Sequence, residues 1–204
     1  IFDLWNKEKL SIYNETTGKG LLRHIVIKIG FKTNEIMCIL VVNGVDIPNE
    51  AQIIEQVVNR FPNVKTIVKN INTKNTNVIL GKENINIYGD GTISDKLGNL
   101  VFKISPLSFY QVNPVQTEIL YKTAIEYAGL GRKETVIDAY CGIGTIGLVA
   151  AKRAKNVIGV ELNRDAVRDA RVNAKLNQTD NISFVQGDAT RFMAQMAADG
   201  EKAD

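Results

Sequence analysis

Cysteine and histidine are nearly missing from this chain: 204 residues contain two cysteines, Cys38 and Cys141, and one histidine, His24. Two cysteines in unlike surroundings make neither a disulfide framework nor a metal site, and a reducing cytoplasm is the default compartment for such a chain. Long apolar runs are missing too. None approaches the roughly 20 residues needed to cross a bilayer. The opening stretch IFDLWNKEKL lacks the basic and apolar regions of a secretory signal. A large charge of one sign is also absent: the net charge is +3. Its whole surplus lies in the first half, with 13 Lys+Arg against 10 Asp+Glu up to Ser105 and 12 against 12 beyond it. So mild an excess permits a nucleic-acid partner without demanding one. What remains is 45% hydrophobic and 23% charged, the composition of a chain that packs a core.

The two halves have different grammar. The first reads mainly as strands. HIVIKIGFKTNEIMCILVVNG has two β-branched runs around a Lys32-Thr33-Asn34 turn, a hairpin signature. NVILGKENINIYGDGTISDKLGNLVFKIS repeats the idea, with turns expected at Gly89-Asp90-Gly91 and from Asp95 to Gly98. Between them PNEAQIIEQVVNRFP is a helix with Asn49 as its expected N-cap. Ile53, Ile54, Val57, Val58 and Phe61 share a face that should cover a sheet. Residues 70 to 77, NINTKNTN, read as a polar loop or strand connection.

The second half alternates. Asn113 and Pro114 open a helix that ends at glycine. Strand TVIDAY, a glycine turn, helix TIGLVAAKRAK, strand NVIGVEL, helix RDAVRDARVNAKLN and strand ISFVQGD then follow. That order predicts a doubly wound α/β domain with a parallel sheet. The boundary between the halves is expected near residues 104 to 113, giving domains 1–106 and 107–204.

Gly142, Gly144 and Gly147 satisfy G-x-G-x-x-G directly after a strand, a pattern shared by several nucleoside cofactors. Asp138 narrows the choice. A carboxylate at that strand end repels a pyrophosphate but suits a cofactor with an ammonium and no phosphate, such as S-adenosylmethionine (SAM). Glu161 ends the second strand, where a carboxylate can accept bonds from both ribose hydroxyls. Asp188 ends the third, where a carboxylate can meet the adenine amino group. Each acid has a bland alternative as the N-cap of the next helix.

SPLSFYQVNPVQTEILY followed by VIDAYCGIGTIGLVAAKRAKNVIGVEL closely resembles the SAM-dependent RNA (uracil-5-)-methyltransferases, which act on 23S rRNA or tRNA. TGKGLLRHIVIKIGFKTNEIMCILVVNG and VKTIVKNINTKNTNVILG resemble the central domain of the rRNA-type members. The resemblance implies a Rossmann-like SAM-dependent methyltransferase domain, truncated here, preceded by a β-rich α+β central domain that faces RNA. It implies cofactor contacts at Gln111, Tyr140, Thr145, Glu161 and Asp188, with Phe109 and Asn113 flanking Gln111 and able to line the base pocket; core packing is the alternative for Phe109 and Tyr110. Cys141 receives no catalytic role from it, and packing is the expected one. Family members add a cysteine thiolate to C6 of uracil and remove the C5 proton with a carboxylate. Both groups belong to segments that would lie past Asp204. An iron–sulfur cluster, bound in many members, would belong to segments before Ile1. The chain is therefore expected to be an internal fragment, inactive alone, holding the cofactor half of the site. Lys19, Arg23, Lys28 and Lys32 are the expected phosphate contacts, Lys28 and Lys32 sharing a strand face.

Two other classes of function remain. An RNA-binding module with a degenerate pocket is opposed by the intact Gly142, Gly144 and Glu161. An NAD-dependent oxidoreductase is opposed by Asp138 and the absence of a dehydrogenase domain.

Overall fold

The computed structural model describes residues 1–204, apart from the side chain of Phe2. Contacts divide the chain into two compact units, Ile1–Ile93 and Ser94–Asp204. By this measure the change of unit falls earlier than the 104–113 region that the sequence suggests.

The first unit contains α1 (Phe2–Lys7), β1 (Leu22–Ile29), β2 (Ile36–Val42), α2 (Glu50–Arg60), β3 (Val64–Ile71) and β4 (Glu83–Tyr88). Its sheet has the order β1-β2-β3-β4. β1 and β2 form the expected antiparallel hairpin, and β3 runs parallel to β2 after the α2 crossover. The amphipathic face of α2 explains the core: Ile53 and Val57 pack with Cys38, Leu40, Val42, Ile67 and Trp5. Asn49 precedes α2 but does not cap it with its side chain. Its amide instead donates to Glu8 Oε2 at 2.8 Å.

The second expected hairpin is wired differently. β4 pairs antiparallel with β3, and β5 (Ile93–Leu97) pairs with β6 (Leu100–Ile104). Thr66 explains the parting at Gly89–Gly91. Its hydroxyl donates to the Tyr88 carbonyl at 2.7 Å and accepts from Gly91 N at 2.9 Å, so the turn is tied back to β3. Asp95 lies inside β5 rather than in a turn. The polar stretch after β3 is also more ordered than its composition suggests. Asn70 belongs to β3, and its amide bonds Gly81 and Asn84. Asn72 donates to the carbonyls of Val78 and Ile79.

The second unit continues with α3 (Pro114–Tyr127), β7 (Thr135–Ala139), α4 (Thr145–Ala151), β8 (Asn156–Glu161), α5 (Arg164–Leu176), β9 (Ile182–Gln186) and α6 (Ala189–Ala198). The three strands form a parallel sheet in the order β7-β8-β9. Asn113 caps α3 as expected, accepting from Gln116 N at 3.1 Å, with Pro114 in the first turn. α4 stops at Ala151, short of the expected end. The amide of Asn181 donates to the carbonyls of Ala151 and Ala154, satisfying acceptors that the helix end leaves open.

Candidate cofactor site

Parallel α/β sheets bind ligands beyond the carboxyl ends of their strands, where loops and helix starts converge. Here β7 delivers the chain into Tyr140-Cys141-Gly142-Ile143-Gly144, and three of these five residues have positive φ: Tyr140 at 61°, Gly142 at 54° and Gly144 at 82°. Tyr140 is a non-glycine in the left-handed region, which surrounding structure must enforce. Its ring is 69% exposed, so packing of that side chain is not the cause. Two backbone bonds hold the turn instead: Cys141 N to Val160 O at 3.0 Å, and Gly144 N to Cys141 O at 2.8 Å.

The glycines differ in what they need. A Cβ on Gly144 would lie 2.9 Å from the Phe184 ring, so that glycine serves packing. A Cβ on Gly142 would meet nothing within 4 Å. The bare backbone of Gly142 faces open space, as a cradle for a close-lying ligand requires.

Two of the three expected carboxylates grip this turn. Asp138 Oδ2 accepts from Gly147 N at 2.9 Å, tying the end of β7 to the start of α4. Burial pushes its carboxyl up to about 6; the Gly147 bond opposes that shift and the nearby Glu161 charge adds to it. Glu161 Oε2 accepts from Gly142 N at 3.1 Å, and Oε1 accepts from Asn163 N at 2.8 Å. Each Glu161 oxygen is thus anchored by one backbone donor, and a carboxylate oxygen can accept a second bond. The N-cap of α5 is Asn163, so the bland alternative does not describe Glu161. It does describe Asp188, whose Oδ1 accepts from Arg191 N at 2.9 Å at the start of α6.

Thr145 is the first residue of α4, and its hydroxyl lies 2.9 Å from that of buried Tyr121 on α3. Sequence reasoning missed Tyr121, which looks like one more residue of an amphipathic helix. Gln111 lines a groove of about 430 Å³ with Asn113, Gln116, Thr117 and Leu120, and the residues of the glycine turn do not line it. Phe109 is 72% exposed, which excludes core packing, whereas Tyr110 packs toward Phe102 with ring centroids 6.1 Å apart. Cys141 sits in the core cluster, and its thiol is pushed up to about 12, first by burial and then by Asp138 and Glu161. A thiol held so far above neutrality is no nucleophile.

One expected RNA contact is corrected. The Arg23 side chain is 1% exposed. It donates to the carbonyls of Asn72, Lys74 and Thr76 and stacks on Tyr13, so it braces a loop rather than meeting phosphate. Lys32 follows the end of β1 and lies over the Phe31 ring, so the strand alternation proposed for Lys28 and Lys32 does not apply. Among the described residues no helix is long and apolar enough to cross a membrane.

The open backbone of Gly142 and the anchored Glu161 thus lie together at the carboxyl ends of a parallel sheet, and known proteins share this fold. Residues 130–204 match a family model described as a methyltransferase domain. An RNA methyltransferase of Caldanaerobacter subterraneus subsp. tengcongensis, named as uncharacterized, is 52% identical over 98% of this chain and 44% of its own length. One from Staphylococcus aureus, named likewise, is 49% identical over 96% of this chain and 43% of its own. The chain thus spans less than half the length of these relatives. The crystal structure of Pyrococcus abyssi tRNA (uracil-54, C5)-methyltransferase, in complex with S-adenosyl-L-homocysteine, superimposes with a TM-score of 0.75 at 28% identity, over 91% of this chain and 44% of that one. The fold is the Rossmann-like fold of SAM-dependent methyltransferases.

Proposed function

We propose that the chain binds SAM at the glycine turn and belongs to an enzyme that methylates C5 of a uridine in RNA. The observation that carries this reading is the Gly142–Glu161 pair: an open glycine backbone beside a carboxylate that two backbone N–H groups hold in place. In this reading Glu161 accepts from the ribose hydroxyls, Asp138 faces the ammonium, and Asp188 reaches the adenine with the oxygen its cap leaves over. Tyr140 and Thr145 belong to the turn and the start of α4, and Gln111 joins the site on the strength of the family resemblance. SAM supplies an electrophilic methyl group when bound. The name of the Pyrococcus neighbour supports uracil C5 as the acceptor, and the F-Y-Q-V-N-P stretch supports it independently.

A base stacked in RNA hides C5 and C6, so the target must be extruded into a pocket. Exposed Phe109 and half-buried Gln111 are placed to border it. Addition at C6 needs a thiolate. Burial pushes both Cys38 and Cys141 up to about 12, so in this reading neither cysteine supplies that thiolate. The RNA is 23S rRNA by the resemblance of the central segment, with tRNA as the rival substrate.

Calorimetric titration with S-adenosylhomocysteine and with NAD tests the cofactor. Binding of the first alone is expected, and Glu161→Ala should weaken it about tenfold or more, the size of one lost charge-assisted bond. NAD binding without S-adenosylhomocysteine binding would sink the proposal. Incubation of the longer protein with radiolabelled SAM and unmodified 23S rRNA or tRNA identifies the acceptor, and this chain alone should transfer no label.

A further inference from the structure

α5 and its C-cap carry three polar side chains at a spacing of four, Asp169, Asn173 and the cap residue Asn177, on a helix that otherwise buries Val167, Ala170 and Ala174. In reverse order, Asn177 and Asn173 meet alternate residues of β6, and Asp169 meets Ser105 and Ser108 just beyond it. The backbone N–H of Val101 donates to Asn177 Oδ1 at 2.9 Å, and the Asn177 amide returns a bond to the Val101 carbonyl at 2.7 Å. The N–H of Lys103 donates to Asn173 Oδ1 at 2.8 Å, and the Asn173 amide returns one at 3.3 Å. The hydroxyls of Ser105 and Ser108 both donate to Asp169 Oδ2, at 2.6 and 3.0 Å. The match is geometric. Four helical residues rise about 6 Å and two strand residues about 6.7 Å, so a helix edge of asparagines can pair with a strand as a neighbouring antiparallel strand would.

Asn173 does one thing more. It is 0% exposed, and its Nδ2 also donates to the Ile143 carbonyl at 3.2 Å, between the two positive-φ glycines of the turn. One amide therefore holds both β6, which leads into residues 105–113, and the turn proposed to hold SAM. We propose that Asn173 is a positioning residue that fixes the segment bearing Phe109 and Gln111 relative to the glycine turn, so that the base and the cofactor meet in one geometry. This rests on the function proposed above. Asn177 is its built-in control: it clamps the same strand without reaching the turn.

Hydrogen–deuterium exchange on the 204-residue protein tests the coupling without requiring any ligand. Asn173→Ala is expected to speed exchange roughly tenfold in both 101–113 and 141–147, while β8 and β9 stay protected. Asn177→Ala should speed it near Val101 only. A rise in one of the two segments alone, a uniform rise across residues 94–204, or no rise overturns the proposal. Should Asn173→Ala fail to fold, Asn173→Ser replaces it, with the same two-segment signature expected and the same outcomes against it. S-adenosylhomocysteine titration adds the functional readout: Asn173→Ala should weaken binding roughly tenfold, and Asn177→Ala should leave it unchanged. Equal losses in both variants would show that the link through Ile143 does not matter. Absence of binding in the unmutated protein would refute the proposed cofactor instead, leaving the exchange result to decide this one.

Discussion

At Asp138 two demands act on one carboxyl. It must accept from Gly147 N to close the turn, and burial raises its pKa to about 6. A raised carboxyl pKa works against stability as pH rises. Between about pH 4 and pH 6 the native state holds a proton that the unfolded chain has released, so stability falls across that window and is level above it. A shift of this size corresponds to about 2–3 kcal/mol. Asp138→Asn keeps an acceptor for Gly147 and has nothing to titrate. Its unfolding free energy, measured in urea at pH 4.5 and pH 7, should differ much less between the two than that of the unmutated protein. Ligand binding runs the other way. An ammonium beside Asp138 favours the carboxylate, so affinity for S-adenosylhomocysteine should rise as pH passes through 6 and should flatten in Asp138→Asn. An affinity indifferent to pH in the unmutated protein would remove Asp138 from the ammonium.

At the scale of elements, Gly144 shows how the turn depends on its neighbours. Its φ of 82° disfavours any side chain, and a Cβ would lie 2.9 Å from Phe184 Cζ and 3.4 Å from Ala170 Cβ. Gly144→Ala should cost about 1–3 kcal/mol, seen as a thermal midpoint lowered by several degrees. Gly142→Ala meets the same backbone penalty but no clash, so its stability loss should be smaller. Elements set by local chemistry were legible in the sequence. Asn113-Pro114 opens α3, and apolar runs locate three parallel strands near Asp138, Glu161 and Asp188, although β9 stops at Gln186 and Asp188 caps α6. Elements set by distant partners were not. Gly89-Asp90-Gly91 reads as a hairpin turn, yet β4 pairs with β3, and Thr66 holds Gly91 of the turn from 25 residues away in the chain. The same limit applies to the site. Asp138 and Glu161 could be named from their strand ends, but their grip on Gly147 and Gly142 is tertiary. Asn173 looked like one more polar helix residue, because nothing in VNAKLN says what lies opposite it.

For the whole molecule, the basic surplus of the first half acquires a more specific meaning once Arg23 is removed from it. Arg23 is buried under carbonyls, so Arg23→Ala should lower stability rather than select against RNA. Lys19 and Lys32 are exposed and Lys28 is half-buried, and we propose that these three meet the phosphates of the RNA. Each phosphate neutralised by a cation adds about 0.9 to the slope of log affinity against log salt on a duplex and about 0.7 on a single strand. Reversing both charges, Lys28→Glu with Lys32→Glu, should therefore weaken RNA binding and lower that slope by about 1.4 to 1.8. S-adenosylhomocysteine affinity should not change, because every residue assigned to the cofactor lies within Ser94–Asp204. Filter binding across a salt series, paired with calorimetry, reads both quantities from one preparation. A double variant that bound RNA with an unaltered slope would move the phosphate contacts off this strand and turn. One that lost the cofactor while keeping RNA would reverse the division of labour between the two units.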